Sequence, residues 1–140
     1  MTTRVTTPRA QRASVVRAAI ALQTVTIFLQ AVSAGLLLTS AYGETLHSVG
    51  ARVMYGASML YLLVALLAWK PGGGPVRPVW YASGFLALAS AQVVLGIAHV
   101  PSLHLPLGVL MFGLSLLALV RGQEREAGRP DHAGMPTITG

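Results

Sequence analysis

The chain has 140 residues, of which 54% are hydrophobic and 10% charged, with a formal net charge of +6 and no cysteine; its mean hydropathy is +0.64. Soluble domains carry about 25% charged residues, and a domain this short buries too little surface to hide so much apolar area, so an ordinary soluble fold is excluded. The missing cysteines exclude disulfides, thiolate metal sites, iron–sulfur clusters and covalent c-type haem.

Charge-free apolar runs predict an all-α fold, an integral membrane four-helix up-down bundle over residues 14–122. A span needs roughly 20 apolar residues to cross hydrocarbon. The expected spans are 14–41, 47–69, 79–100 and 103–120, with Pro106 in the first turn of the last one, where a missing N–H costs little. The first apolar run is longer than the core of a signal peptide, so it is expected to be a retained helix. Residues 1–13 and 123–140 are polar, with Pro, Gly and Thr, and are expected to be disordered tails. Lys70-Pro-Gly-Gly-Gly-Pro-Val-Arg-Pro reads as a turn between the second and third spans.

The basic residues orient the bundle. Arg4, Arg9, Arg12 and Arg17 precede the first span, Lys70 and Arg77 join the second to the third, and Arg121, Arg125 and Arg129 follow the fourth. Only Arg52 stands apart. The positive-inside rule then places both termini in the cytoplasm of a multi-pass plasma-membrane protein. The positive charge is read as a topology signal with anionic lipid contact as its consequence, and no nucleic-acid partner is expected. Tyr42, Trp69, Trp80 and Tyr81 fit interface anchors.

Self-comparison shows a duplicated helical hairpin. Aligned on His47 and His104, the two halves share the preceding Leu, a small residue at four (Ala51, Gly108), Met at seven (Met54, Met111), an aromatic at eight, Gly at nine and Ser at eleven. Upstream, each half carries a glutamine, Gln30 and Gln92, near the outer half of its first helix. Glutamines in spans are read as interhelical hydrogen-bond donors and acceptors. The second and fourth helices run the same way and are diagonal in a sequential bundle, so the two histidines are expected to face each other at the outer end.

Ionisable groups at membrane depth are functional candidates, and Glu44, His47, Arg52, His99 and His104 gather at that end. Three chemistries could use them. The first is a bis-histidine b-type haem on His47 and His104. There Gly50, Ala51 and Gly108 would make room for a flat ring, Met54 and Met111 would pack beneath it, and Arg52 would neutralise a propionate. The second is a zinc or copper site built from Glu44, His47, His99 and His104. The third is a set of interfacial histidines with no ligand.

At these residues the chain resembles the haem A synthase family. Glu44-Thr-Leu-His47 resembles the Glu-x-x-His motif that opens the second helix of a synthase half. Gln92-Val-Val-Leu-Gly96, a short loop, then Leu103-His104 and Gly108 resemble its third-to-fourth helix segment. The resemblance covers about residues 18–120, one of the family's two four-helix halves. It implies that His47 and His104 are axial haem ligands and that Glu44 is the acidic residue implicated in oxidation of the haem methyl. Ser48 stands where the family usually has Arg, and the cysteine pair of many members is missing. A single half further implies a homodimer or a larger membrane complex. A haem-modifying oxidoreductase, a small electron-transferring cytochrome and an accessory subunit without cofactor all remain open at this point.

Overall fold

The computed structural model describes residues 8–127. Four helices follow one another, α1 (Pro8–Leu36), α2 (Gly43–Trp69), α3 (Arg77–Ile97) and α4 (Pro101–Ala127), and no strand occurs among the described residues. Each is long and apolar enough to cross a membrane. The all-α four-helix fold read from the sequence is the fold of the chain. Helices α1 and α3 each pack on both α2 and α4. Consecutive helices reverse direction, so the four close into a ring with α2 and α4 on one diagonal.

The helix ends correct several expected boundaries. Helix α1 begins at Pro8 rather than near residue 14, because proline suits a first helical turn and Arg, Ala and Gln propagate it. It stops at Leu36, where residues 37–42 form a turn closed by backbone bonds such as Ser40 N–H to Leu36 O, 2.9 Å. Helix α4 runs past residue 120 to Ala127 on good helix formers, and residues 128–140 lie outside the described residues. Pro101, not Pro106, opens α4, so Pro106 falls inside the helix, near its N-terminal end.

The α3–α4 turn is short because His99 takes a left-handed conformation (φ 53°). Val100 N–H bonds Leu95 O at 3.1 Å and His99 N–H bonds Gly96 O at 3.2 Å, the paired bonds of a Schellman cap. His99 therefore ends a helix. It is also exposed.

Apolar side chains gain nothing by leaving lipid for one another, so membrane helices associate through small residues and hydrogen bonds. Ala19, Ala57, Ala65, Ala82 and Ala89 are buried, as are Ser58 and Ser115. Each of the four helix interfaces also carries a polar link. Gln30 and Ser33 of α1 meet His47 of α2; Tyr55 Oη of α2 lies 3.3 Å from Ser90 Oγ of α3. His104 of α4 bonds the Gln92 carbonyl of α3, and Thr24 Oγ1 of α1 lies 2.6 Å from Ser115 Oγ of α4. Phe28 and Phe112 add an aromatic contact at 5.9 Å on that last interface.

The duplicated positions form matching layers. Met54 and Met111 are both buried, and Ser58 and Ser115 both have no exposed surface. At the opposite end the Arg12 guanidinium donates to the Gly72 carbonyl, tying α1 to the α2–α3 turn.

Gly43 holds the first hairpin shut. It is buried at the start of α2, and a Cβ there would run into the backbone of Leu36 and Leu37. Gly43→Val should cost about 1–3 kcal/mol, as overpacking does. Gly56→Ala, where a Cβ meets nothing within 4 Å, should be neutral or stabilising by up to ~1 kcal/mol. Thermal midpoints of the detergent-solubilised variants check the contrast; equal midpoints would show that the turn opens without penalty.

Candidate functional site

Two of the residues singled out in the sequence come together across the diagonal. The imidazoles of His47 on α2 and His104 on α4 have centroids 6.2 Å apart and ring planes at 67°. Both rings are half-buried.

The hydrogen bonds engage Nδ1 of each ring. Ser33 Oγ donates to the Gln30 carbonyl at 2.9 Å and stands 3.1 Å from His47 Nδ1. The Gln92 carbonyl can only accept, so His104 Nδ1–H donates to it at 3.1 Å. His104 is thus the Nδ1–H tautomer, with the lone pair on Nε2. A metal-ligating histidine has this arrangement, its second nitrogen fixed by a carbonyl or hydroxyl behind it.

Two glutamines frame the pair. The Gln30 side-chain amide donates to the His47 carbonyl at 2.9 Å and stands 3.3 and 3.4 Å from the two ring nitrogens. A Cβ at Gly50 would strike Gln30 Oε1, and one at Gly108 would come within 2.9 Å of Gln92 Nε2. Gly50 and Gly108, expected to admit a flat ring, lie against the Gln30 and Gln92 side-chain amides. Gln92 Oε1 is buried with no hydrogen-bond partner, an orphaned acceptor beside His104. The ring of His104 in turn rests on Gly96, where a Cβ would lie 3.5 Å from Cε1.

The remaining sequence candidates divide. Met54 and Met111 are buried in the core, two helical turns beyond the histidines along α2 and α4. Ala51 is half-buried on the His47 side of α2. Arg52 is exposed and, at 3.6 residues per turn, lies about 140° around the helix from His47, away from the pair. Glu44 is exposed on the first turn of α2, where its charge suits the helix dipole. No group of three His, Cys, Asp or Glu suited to a metal ion forms among the described residues. The four-ligand zinc or copper set of Glu44, His47, His99 and His104 is therefore not assembled, and the pair stands by itself.

The donor set can be tested against a ligand shared by two imidazoles. Two imidazoles that shared one metal ion, each nitrogen at about 2.0–2.1 Å from it, would have ring centres on the order of 6 Å apart. The 6.2 Å separation fits that requirement. Ser33 escaped the sequence reading; its signal was its position three residues after Gln30, one turn along the same face of α1.

Compared with known proteins, no family model matches the chain, and no curated protein or solved structure matches it.

The His104 tautomer is directly measurable. Side-chain 15N spectra of the histidine-labelled protein should show His104 carrying the proton on Nδ1. Ser33→Ala should disturb the His47 signal and leave His104 unchanged. A His104 protonated on Nε2 would show that the hydrogen-bond assignment is wrong.

Proposed function

We propose that the chain is a multi-pass membrane protein that binds one b-type haem through His47 and His104 and serves electron transfer. The observation that carries this reading is the diagonal pair: two imidazoles whose ring centres lie 6.2 Å apart, each with Nδ1 engaged from behind by a neighbouring helix. A haem held by such a pair supplies one-electron exchange. The chain's own residues would then do three things. Ser33 and the Gln92 carbonyl orient the rings and raise their basicity. Met54 and Met111 close the bundle beneath them with polarisable apolar surface. Gln92 Oε1 provides an acceptor at the site.

An electron-transfer role is favoured over oxidation of a haem substituent by the place of Glu44. It stands exposed on the first turn of α2 with no hydrogen bond to either imidazole, so it is not poised as an acid or base beside the pair. The resemblance to one half of a haem A synthase supports the ligand pair more than the catalytic residue.

Orientation belongs to the same proposal. Arg9, Arg12 and Arg17 on α1, Lys70 after α2, Arg77 on α3 and Arg121 on α4 share one end of the bundle. With that end in the cytoplasm of a plasma membrane, the histidine pair lies at the outer face.

A reduced-minus-oxidised absorption spectrum of the purified protein, with pyridine extraction, tests the reading. The expected result is a low-spin b-type signal of about one haem per chain. His47→Ala and His104→Ala should each abolish it, whereas His99→Ala and Glu44→Gln should leave it intact. A preparation that stays colourless after haem is supplied would sink the proposal, and so would retention of the native spectrum in both ligand variants.

A further inference from the structure

The end of the bundle opposite the histidines carries a cleft. It measures about 240 Å³ and opens between the first turns of α1 and the last turns of α2, lined by Gln11, Arg12 and Val15 on one side and Val64, Leu67 and Ala68 on the other. Its polarity is graded. Gln11 and Arg12 stand at the mouth, next to the helix ends, and Val15 and Val64 lie one turn deeper towards the middle of the bundle.

The charge at the mouth is fixed in place. The Arg12 guanidinium donates to the Gly72 carbonyl of the α2–α3 turn, and a guanidinium has five N–H donors, so most of them remain available to an acceptor. Lys70, two residues past Ala68, rests its Nζ 5.4 Å from the centre of the Trp69 ring. Trp80 and Tyr81, both exposed on the first turns of α3, mark the same level as an interface belt.

We propose that this cleft binds an anionic phospholipid, its phosphodiester held by Arg12 with Gln11 beside it and one acyl chain laid against Val15, Val64 and Ala68. Charge complementarity at the mouth and an apolar floor behind it match the two parts of that molecule in the order in which a bilayer presents them. Basic residues near a membrane surface each contribute about a fivefold preference for anionic lipid. A site, unlike a diffuse basic surface, makes that preference depend on particular residues.

The test is a titration of the purified full chain, in micelles of a non-ionic detergent, with phosphatidylglycerol, phosphatidylcholine or inorganic phosphate, read by native mass spectrometry. Phosphatidylglycerol should bind at least fivefold more tightly than phosphatidylcholine, and inorganic phosphate should not compete at matched concentration. Arg12→Gln should remove the preference. Ala68→Leu, which keeps the Arg12–Gly72 bond and fills the floor, should weaken both lipids. Arg121→Gln, with the same charge loss at the same end but on α4, should change binding less than twofold. Equal losses for Arg12→Gln and Arg121→Gln would overturn the site in favour of a diffuse basic surface, and effective competition by inorganic phosphate would reduce it to an anion contact.

Discussion

Everything in this bundle follows from the solvent its helices face. Hydrocarbon offers apolar side chains no reason to leave it, so the helices are held by close packing and by hydrogen bonds that lipid cannot make. The buried positions accordingly hold alanine and serine, with few large residues such as Tyr61, Phe85 and the two methionines. The four interfaces each have a polar link, from Gln30–His47 round to Thr24–Ser115. Such links average about 0.6 kcal/mol apiece in membrane proteins. Their sum is small, but an unmade bond in that medium leaves a group unpaired at a cost of several kcal/mol, so they select one register of helices over its neighbours.

The histidine pair is a product of the same rule. Each ring is first a link between two adjacent helices, α1 with α2 and α3 with α4, through its Nδ1. Only because both hairpins are closed in this way do the two rings meet across the diagonal. Gly50 and Gly108 let the glutamine side chains lie close to α2 and α4, and those glutamines fill the flanks of the pair. The contacts that close the hairpins are therefore the ones that set the ring positions, and removing Ser33 or Gln30 would alter both together.

Much of this was legible in the sequence. The four spans followed from charge-free runs, and the pairing of His47 with His104 followed from aligning one hairpin on the other. What was not legible depended on three-dimensional packing. Nothing in the spacing of Gly50 or Gly108 says whether the missing side chain makes room for a cofactor or for a neighbouring amide. His99 looked like a third imidazole at the same end, yet its left-handed φ makes it a helix terminator, because the Schellman turn needs such a residue and no glycine or asparagine occupies that position. Helix ends were misplaced wherever the helix outlasts its apolar run, as at Pro8 and Ala127. Hydrophobicity marks where lipid ends, whereas backbone hydrogen bonding carries the helix on into the headgroup layer.

The two ends of the bundle are also set against each other by length. From Trp69 to His47 is 22 residues of α2, about 33 Å of helix, against a hydrocarbon core of about 30 Å. A hydrocarbon core of that thickness with Trp69 at one boundary puts His47 near the other rather than at the midplane, and Arg52, exposed, lies five residues nearer the middle. Groups more than 7–10 Å apart with no shared contacts act additively, and Val64 to Ala68 of the basic cleft lie about 25–30 Å along α2 from His47. A substitution at the cleft is therefore expected to leave the imidazole pair unaltered.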